Sequence, residues 1–194
     1  MTGAVKPPIS PGARAKGRRT LLLLALVVIT PVIASYSAYY FFPREQRTNY
    51  GELLATPAPA LAGTRADGQP FALAQLKGKW VLAFGAPGAC DVSCTGALHA
   101  TRQARTIQGR EMERVQRVWL VTDDVAPDPA VLAQHPDLMV AHVPRAAAAV
   151  LPAGADRIYL IDPLGNLVLA FPADPDIRKV AKDLERVLKA SRIG

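Results

Sequence analysis

The stretch from Leu21 to Phe42, LLLLALVVITPVIASYSAYYFF, holds 22 residues without a charge and constrains this chain more than any other. Wound as a helix at about 1.5 Å per residue, it is long enough to cross roughly 30 Å of hydrocarbon. The chain is therefore expected to divide into a basic cytoplasmic tail at 1–20, a transmembrane helix at 21–42, a tether at 43–60 and a folded domain at 61–194. Pro31 would kink such a helix without forbidding it, and Tyr36, Tyr39, Tyr40, Phe41 and Phe42 set aromatic rings toward the far interface. Lys6, Arg14, Lys16, Arg18 and Arg19 precede the run with no acid among them. That asymmetry places the N-terminus in the cytoplasm. In a bacterium the reading is a single pass through the inner (cytoplasmic) membrane, with the C-terminal domain periplasmic. The competing reading is a cleaved signal peptide, but Ser35 and Ser37 form a poor cleavage site and the apolar run continues past them.

A formal charge of +7 invites a nucleic-acid partner, so its location matters. Five of the 23 basic residues lie in the first 20 positions, while all 16 acids lie beyond position 43. The remainder carries eighteen bases against those 16 acids, a balance of only +2. The charge belongs to the tail, and no nucleic-acid partner is expected. Positions 1–19, rich in Pro, Gly and basic residues with no apolar periodicity, read as disordered. The prolines and small residues between Pro43 and Gly63 read as an extended tether.

Only two cysteines are present, and both fall in WVLAFGAPGACDVSC, Trp80 to Cys94. Trp80–Phe84 is a short apolar run of strand formers, stopped by Gly85, Pro87 and Gly88 before a helical pattern begins. Cys90 and Cys94 therefore sit at a strand-to-helix corner, where unpaired N–H groups and the positive end of a helix favour thiolate. Across the membrane such a pair could also be a plain staple. The spacing argues against it, because closing a loop of three intervening residues removes little unfolded-state entropy. Residues four apart on a helix hold their Cβ atoms about 5–6 Å apart, beyond the 3.5–4.5 Å of a disulfide, so Cys90 must lie in the loop or at the cap. A bond across that corner should be somewhat strained and readily reduced.

Before the corner, Arg65–Phe71 reads as a small hairpin turning at Asp67-Gly68. After it, Ala97, Ala100, Ala104 and Ile107 recur at helical spacing, ending at Gly109. Val115–Thr122 is a strand apolar enough to be buried on both faces, which completes a βαβ unit. Asp123, Asp124, Asp128 and Pro129 mark a loop; 129–134 reads as a short helix, 138–143 as a strand and 145–151 as another short helix. Arg157–Phe171 is a hairpin around Asp162–Asn166. A final helix takes Asp174 as N-cap, Pro175 at its first position and Asp176 in its first turn. It buries Ile177, Val180, Ala181, Leu184, Val187 and Leu188, with Lys189 and Arg192 near its C-terminal end. The order is that of an α/β, thioredoxin-like domain: a central mixed sheet flanked by helices.

These residues resemble the Sco/SenC proteins, membrane-anchored thioredoxin-like factors associated with copper delivery or thiol control during cytochrome c oxidase assembly. The resemblance covers roughly 61–190 and is carried by LKGKWVLAFG, the spacing of Cys90 and Cys94, Asp123 and Pro129, YLIDPLGN, and the single N-terminal anchor. It implies a factor for respiratory oxidase assembly that works by thiol–disulfide exchange, Cu(I) handling, or both. Its partner would be an oxidase subunit or another assembly factor, and its enzymatic activity that of a thiol–disulfide oxidoreductase. In that family two cysteines and a histidine just ahead of the strand matching Ile158–Ile161 bind copper. Here Pro152–Arg157 contains no histidine, and the prolines usual around the family's cysteines are absent, with Asp91, Val92 and Ser93 between the two. Of the three histidines, His99 should turn about 180° away from Cys90, and His135 and His142 lie in or near loops. Cys90 and Cys94 alone suit Cu(I) and offer Cu(II) little. No other cofactor is implied.

Cys90 reads as the attacking thiolate and Cys94 as resolving thiol or second Cu(I) ligand. Arg157, near where the histidine would stand, could bring a permanent positive charge to Cys90 and lower its pKa; alternatively it faces solvent or pairs with Asp156. Two other functions remain open, a non-catalytic assembly scaffold and a general periplasmic thiol–disulfide reductase.

Overall fold

The computed structural model describes residues 11–41, 49–154, 156–191 and 193. Lys6, Phe42, the first part of the expected tether (43–48), Ala155 and Arg192 lie outside them, as do the side chains of Arg14, Lys16, Tyr39 and Phe41. The chain divides into two units, 1–47 and 48–194.

In the first unit, helix α1 runs Pro11–Phe41. It begins inside the stretch expected as a disordered tail, with proline at its first position, where a missing N–H costs nothing. Its Arg18–Ser37 portion is long and apolar enough to cross a membrane. Pro31 lies within the helix, and the preceding Thr30 Oγ1 donates to the Leu26 carbonyl at 2.6 Å.

The second unit is built on one mixed sheet of eight strands: β1 (Glu52–Pro57), β2 (Ala62–Arg65), β3 (Pro70–Ala72), β4 (Trp80–Ala86), β5 (Val115–Val121), β6 (Leu138–His142), β7 (Ile158–Ile161) and β8 (Asn166–Phe171). The spatial order is β1-β8-β7-β4-β5-β6-β2-β3, with β4, β5 and β6 parallel and the other pairings antiparallel. Residues 52–57, expected within the tether, are extended but form the edge strand β1 on β8. What fixes them is side-chain chemistry remote in sequence. The Asp183 carboxylate, 3% exposed, accepts the Tyr50 and Gly51 amides at 2.7 and 2.9 Å.

Strand β4 is buried at all seven positions because it is central and covered on both faces. Leu82, Phe84 and Ala86 join Trp119 and Val121 in one core layer, while Val81 and Ala83 join Val118 and Leu120 in the other. Burying a side chain of Phe84's size contributes about 2–3 kcal/mol. The first layer is covered by α2 (Val92–Thr106) and by the last helix, and the second by a 3-10 turn at Leu73–Leu76 and residues 143–151. Short helices α3 (Pro129–Ala133) and α4 (Arg145–Ala148) flank β6 in sequence.

Helix α2 buries Ala97, Ala100 and Ala104, small side chains that bring it close to the sheet. Ile107, expected on that stripe, is 57% exposed because the helix ends at Thr106 and Ile107 is its C-cap. The last helix, α5, runs Ile177–Ala190, and its N-cap is Asp176 rather than the expected Asp174. Asp176 accepts the Arg178 and Lys179 amides at 3.0 and 3.2 Å, the second and third free donors of the first turn.

Candidate redox site

Cys90 and Cys94 form a disulfide, with Cα atoms 5.1 Å apart. Asp91 is the N-cap of α2, so Cys94 occupies the third position of the first turn and Cys90 stands just outside the helix. The Asp91 carboxylate accepts the Cys94 amide at 2.9 Å. It thereby fixes the first turn and places a negative charge against the helix's positive end, opposing the pull toward thiolate. Cys90 donates its own N–H to the Pro87 carbonyl at 3.2 Å and adopts φ +44°. A residue with a Cβ in that left-handed region carries about 1 kcal/mol of strain or more. Cys90 is 8% exposed and Cys94 2%, so Cys90 Sγ belongs to the more accessible residue.

The loop between β4 and α2 is held from its neighbour. Asp123, just past β5, accepts the Gly88 amide at 2.8 Å and the Val125 amide at 3.3 Å on the same carboxylate oxygen. Gly88 is required there, because a Cβ would collide with the Val125 carbonyl. The Ala86 carbonyl accepts the Thr122 amide and the Trp119 indole N–H, tying the loop's base to β5. His142 Nδ1 lies 3.3 Å from the Asp123 carbonyl. A carbonyl oxygen only accepts, so this nitrogen carries the proton.

Arg157 stands just ahead of β7 at the cysteine end of the sheet, since Ile158 pairs with Phe84. Arg157 pairs with Glu52 at 3.5 Å across β8, a partner the sequence does not suggest, since β1 was read as tether. His99 is exposed on α2. His135 is 6% exposed beside the Arg117 guanidinium at 3.5 Å, near the start of β6, and burial and the charges of Arg117 and Arg102 push its pKa down to about 4. Among the described residues no group of three or more Cys, His, Asp or Glu side chains is arranged to hold a metal. Two thiolates, once reduced, fit a two-coordinate soft ion and nothing harder.

The sequence reading missed Asp91 as cap, Asp123 as clamp, and a buried network beneath α2. Arg117, fully buried on β5, donates to the Leu98 carbonyl (2.7 Å), Thr101 Oγ1 (3.2 Å) and Asp137 (3.1 Å), while Arg105 of α2 meets the other Asp137 oxygen at 2.9 Å. Burial draws the Arg117 pKa down to about 10 against the opposing pull of Asp137. An arginine inside an otherwise apolar strand was the visible signal of this network.

A disulfide at the N-terminus of a helix that follows the central strand of a mixed sheet defines a thioredoxin-like domain. The chain belongs to the family described as transmembrane-like, thioredoxin-like, C-terminal domain, whose profile matches residues 80–191, more than half of the chain. No curated protein matches it in sequence. In structure it is similar to apo Sco1 from Thermus thermophilus (TM-score 0.59, 23% identity, 75% of this chain and 98% of that one). It is similar also to copper-bound yeast Sco1 (TM-score 0.60, 18% identity, 72% and 96%). A third likeness is to the thioredoxin domain of a thiol–disulfide oxidoreductase from Bacteroides vulgatus (TM-score 0.54, 18% identity, 70% and 99%). The resemblance to Sco/SenC is thus borne out as likeness of fold.

Proposed function

We propose that this chain is a membrane-anchored factor for respiratory oxidase assembly whose Cys90–Cys94 pair cycles between disulfide and dithiol. The domain then lies on the periplasmic side, with α1 in the inner membrane. The observation that carries the reading is the disulfide itself, placed at a helix N-terminus with Cys90 in a left-handed conformation. That strain is released when the bond opens and Cys90 relaxes, which favours the reduced form relative to an unstrained bridge. An incoming thiolate attacks Cys90 Sγ, the Sγ–Sγ bond breaks, and Cys94 leaves as thiolate. A second thiol then attacks the mixed disulfide, so that two thiols supply the two electrons and the chain is left as dithiol. Asp91 holds the leaving sulfur's turn in place, and Asp123 holds the loop that carries the attacked one.

Copper enters as cargo. The copper-bound yeast structure supports copper as what the dithiol would carry, and on Cys90 and Cys94 alone the ion that fits is Cu(I). Without a third ligand the grip is weaker toward Cu(II) than toward Cu(I). The likeness to a thiol–disulfide oxidoreductase domain, together with the missing histidine, favours as second reading a general thiol reductase. Arg157, at the cysteine end of the sheet, contributes to either reading through a charge partly neutralised by Glu52.

A double Cys90→Ser, Cys94→Ser variant should abolish oxidase assembly in cells, while a scaffold would still support it. Cu(I) titration of the reduced chain, beside its reduction potential, separates cargo from exchange: one Cu(I) per chain is expected, lost in the double variant.

A further inference from the structure

The two segments beside the disulfide, 87–94 and 122–128, carry charge of one sign only. Asp91 lies between the cysteines and is exposed, Asp123 touches the cysteine loop through Gly88, and Asp124, next to it, is exposed. Asp128 follows on the same connection, exposed at the start of α3. Two apolar side chains stand among these carboxylates. Val92, between the cysteines, is 88% exposed, and Val125, whose carbonyl abuts Gly88, is 49% exposed. Cations also stand at this end of the sheet: Arg145, exposed after β6, Arg157, paired with Glu52, and Arg178 and Lys179 in the first turn of α5, where Lys179 pairs with Asp176. Other basic side chains, Lys77 and Lys79 among them, precede β4 at the opposite end.

A valine that exposed beside a reactive bond loses nothing by being covered and gains about 25 cal/mol for each Å² removed from water. The carboxylates decide what can cover it. A thiol attacks as its thiolate, and a thiolate flanked by further negative charge is repelled by these carboxylates, whereas flanking cations are attracted. We infer that the rim selects its redox partner by charge. The thiol that opens the Cys90–Cys94 bond is a cysteine in a segment of a partner protein with lysine or arginine flanking it and an apolar side chain to cover Val92. Asp91 and Asp124 are the specificity-determining residues. This rests on the exchange reading above. The step is the one already written: the partner's thiolate bonds to Cys90 Sγ, Cys94 leaves as thiolate, and a second thiol on the partner completes the two-electron reduction.

The test uses the full chain, oxidised, in neutral detergent. Rates of disulfide opening are measured with the peptides Lys-Cys-Lys and Glu-Cys-Glu, each divided by its rate on the uncharged 2-hydroxyethyl disulfide to remove intrinsic thiol reactivity. The ratio should favour the cationic peptide about tenfold at low ionic strength. It should fall to about twofold in 0.5 M salt, where the Debye length is only a few Å. Asp124→Lys should lower the ratio severalfold, and because each ratio is taken within one variant, a general change in reactivity cancels. A ratio near one, or one unmoved by salt and by Asp124→Lys, overturns the inference. The uncharged thiol 2-mercaptoethanol, run in parallel, reports separately on the exchange reading: a disulfide that it opens while the charge ratio stays at one sinks only the charge selection, and a disulfide that it cannot open sinks both.

Discussion

Two polar clusters lie at the two ends of β5, and they are built on opposite principles. At the start of the strand, Arg117 is sealed beneath α2, and its guanidinium meets a carboxylate, a hydroxyl and a carbonyl. At the far end, Asp123 clamps the cysteine loop, Asp91 and Asp124 face solvent, and Cys90 is held in a conformation that its Cβ disfavours. The first cluster is satisfied and therefore rigid. The second keeps strain, exposure and uncompensated charge, the conditions under which a bond can be attacked and a partner discriminated. Charge deep in the domain must be paired to be tolerated, whereas charge at the rim is free to act on something else.

If this contrast holds, the largest stability effect should come from the sealed end. Asp137→Ala leaves Arg117 with a buried charge and no carboxylate, at a cost of about 2–3 kcal/mol. Urea unfolding should show the loss, while the rate at which 2-mercaptoethanol opens the disulfide should stay within about twofold. A large change in that rate would show that the two ends are coupled.

Next in size is the pH response of the same cluster. His135 is held near pKa 4 in the folded chain against an ordinary value of about 6.5, so the unfolded chain binds the extra proton between those limits. Its contribution is present above pH 6.5 and is lost progressively as pH falls toward 4. Unfolding free energies measured across that window should fall with acidification in the wild type and much less in His135→Gln. A slope unaltered by the substitution would place the titrating group elsewhere.

At the exposed end the effects should be smaller. Chain entropy alone gives a five-residue disulfide ring about 2 kcal/mol, and relief of the left-handed Cys90 backbone on reduction returns about 1 of these. Reduced and oxidised forms should therefore differ by about 1 kcal/mol in unfolding free energy. A difference of 3 or more would make the bond a structural staple and dissolve the contrast.

The smallest effect is expected at Arg157. Because its guanidinium is drawn to Glu52, Arg157→Ala should raise the pH midpoint for alkylation of reduced Cys90 by only about 0.3 unit through screened, long-range charge. A shift of a full unit would restore Arg157 as the principal tuning charge.

How much could be read in advance depended on whether a feature was local. The apolar helix, the βαβ unit around β4 and β5, the late hairpin and the position of Cys90 outside α2 all follow from period, turn residues and the reach of a disulfide. These are properties of neighbouring residues, and the structure agrees with them. The N-cap of α5 slipped from Asp174 to Asp176 because both are good caps and only the packing of Val180, Ala181 and Leu184 on the sheet selects one. The edge strand β1 was invisible for a stronger reason. Its sequence is that of a linker, and its place is fixed by Asp183, more than a hundred residues away. The same holds for Arg157, whose nearest charge became Glu52 only when that strand docked.

The sequence by itself determined that two cysteines would meet at a strand-to-helix corner, that no histidine stands at 152–157 just ahead of β7, and that most of the chain's net positive charge sits ahead of its apolar run. Tertiary structure alone decided which carboxylates surround the disulfide and which cations are cancelled. Those outcomes depend on β5 and β6 bringing the Asp123 loop against Gly88, and on an edge strand closing over β8. The reason is that electrostatic and hydrogen-bonding neighbours are set by distance in space, whereas sequence patterns report only on neighbours along the chain.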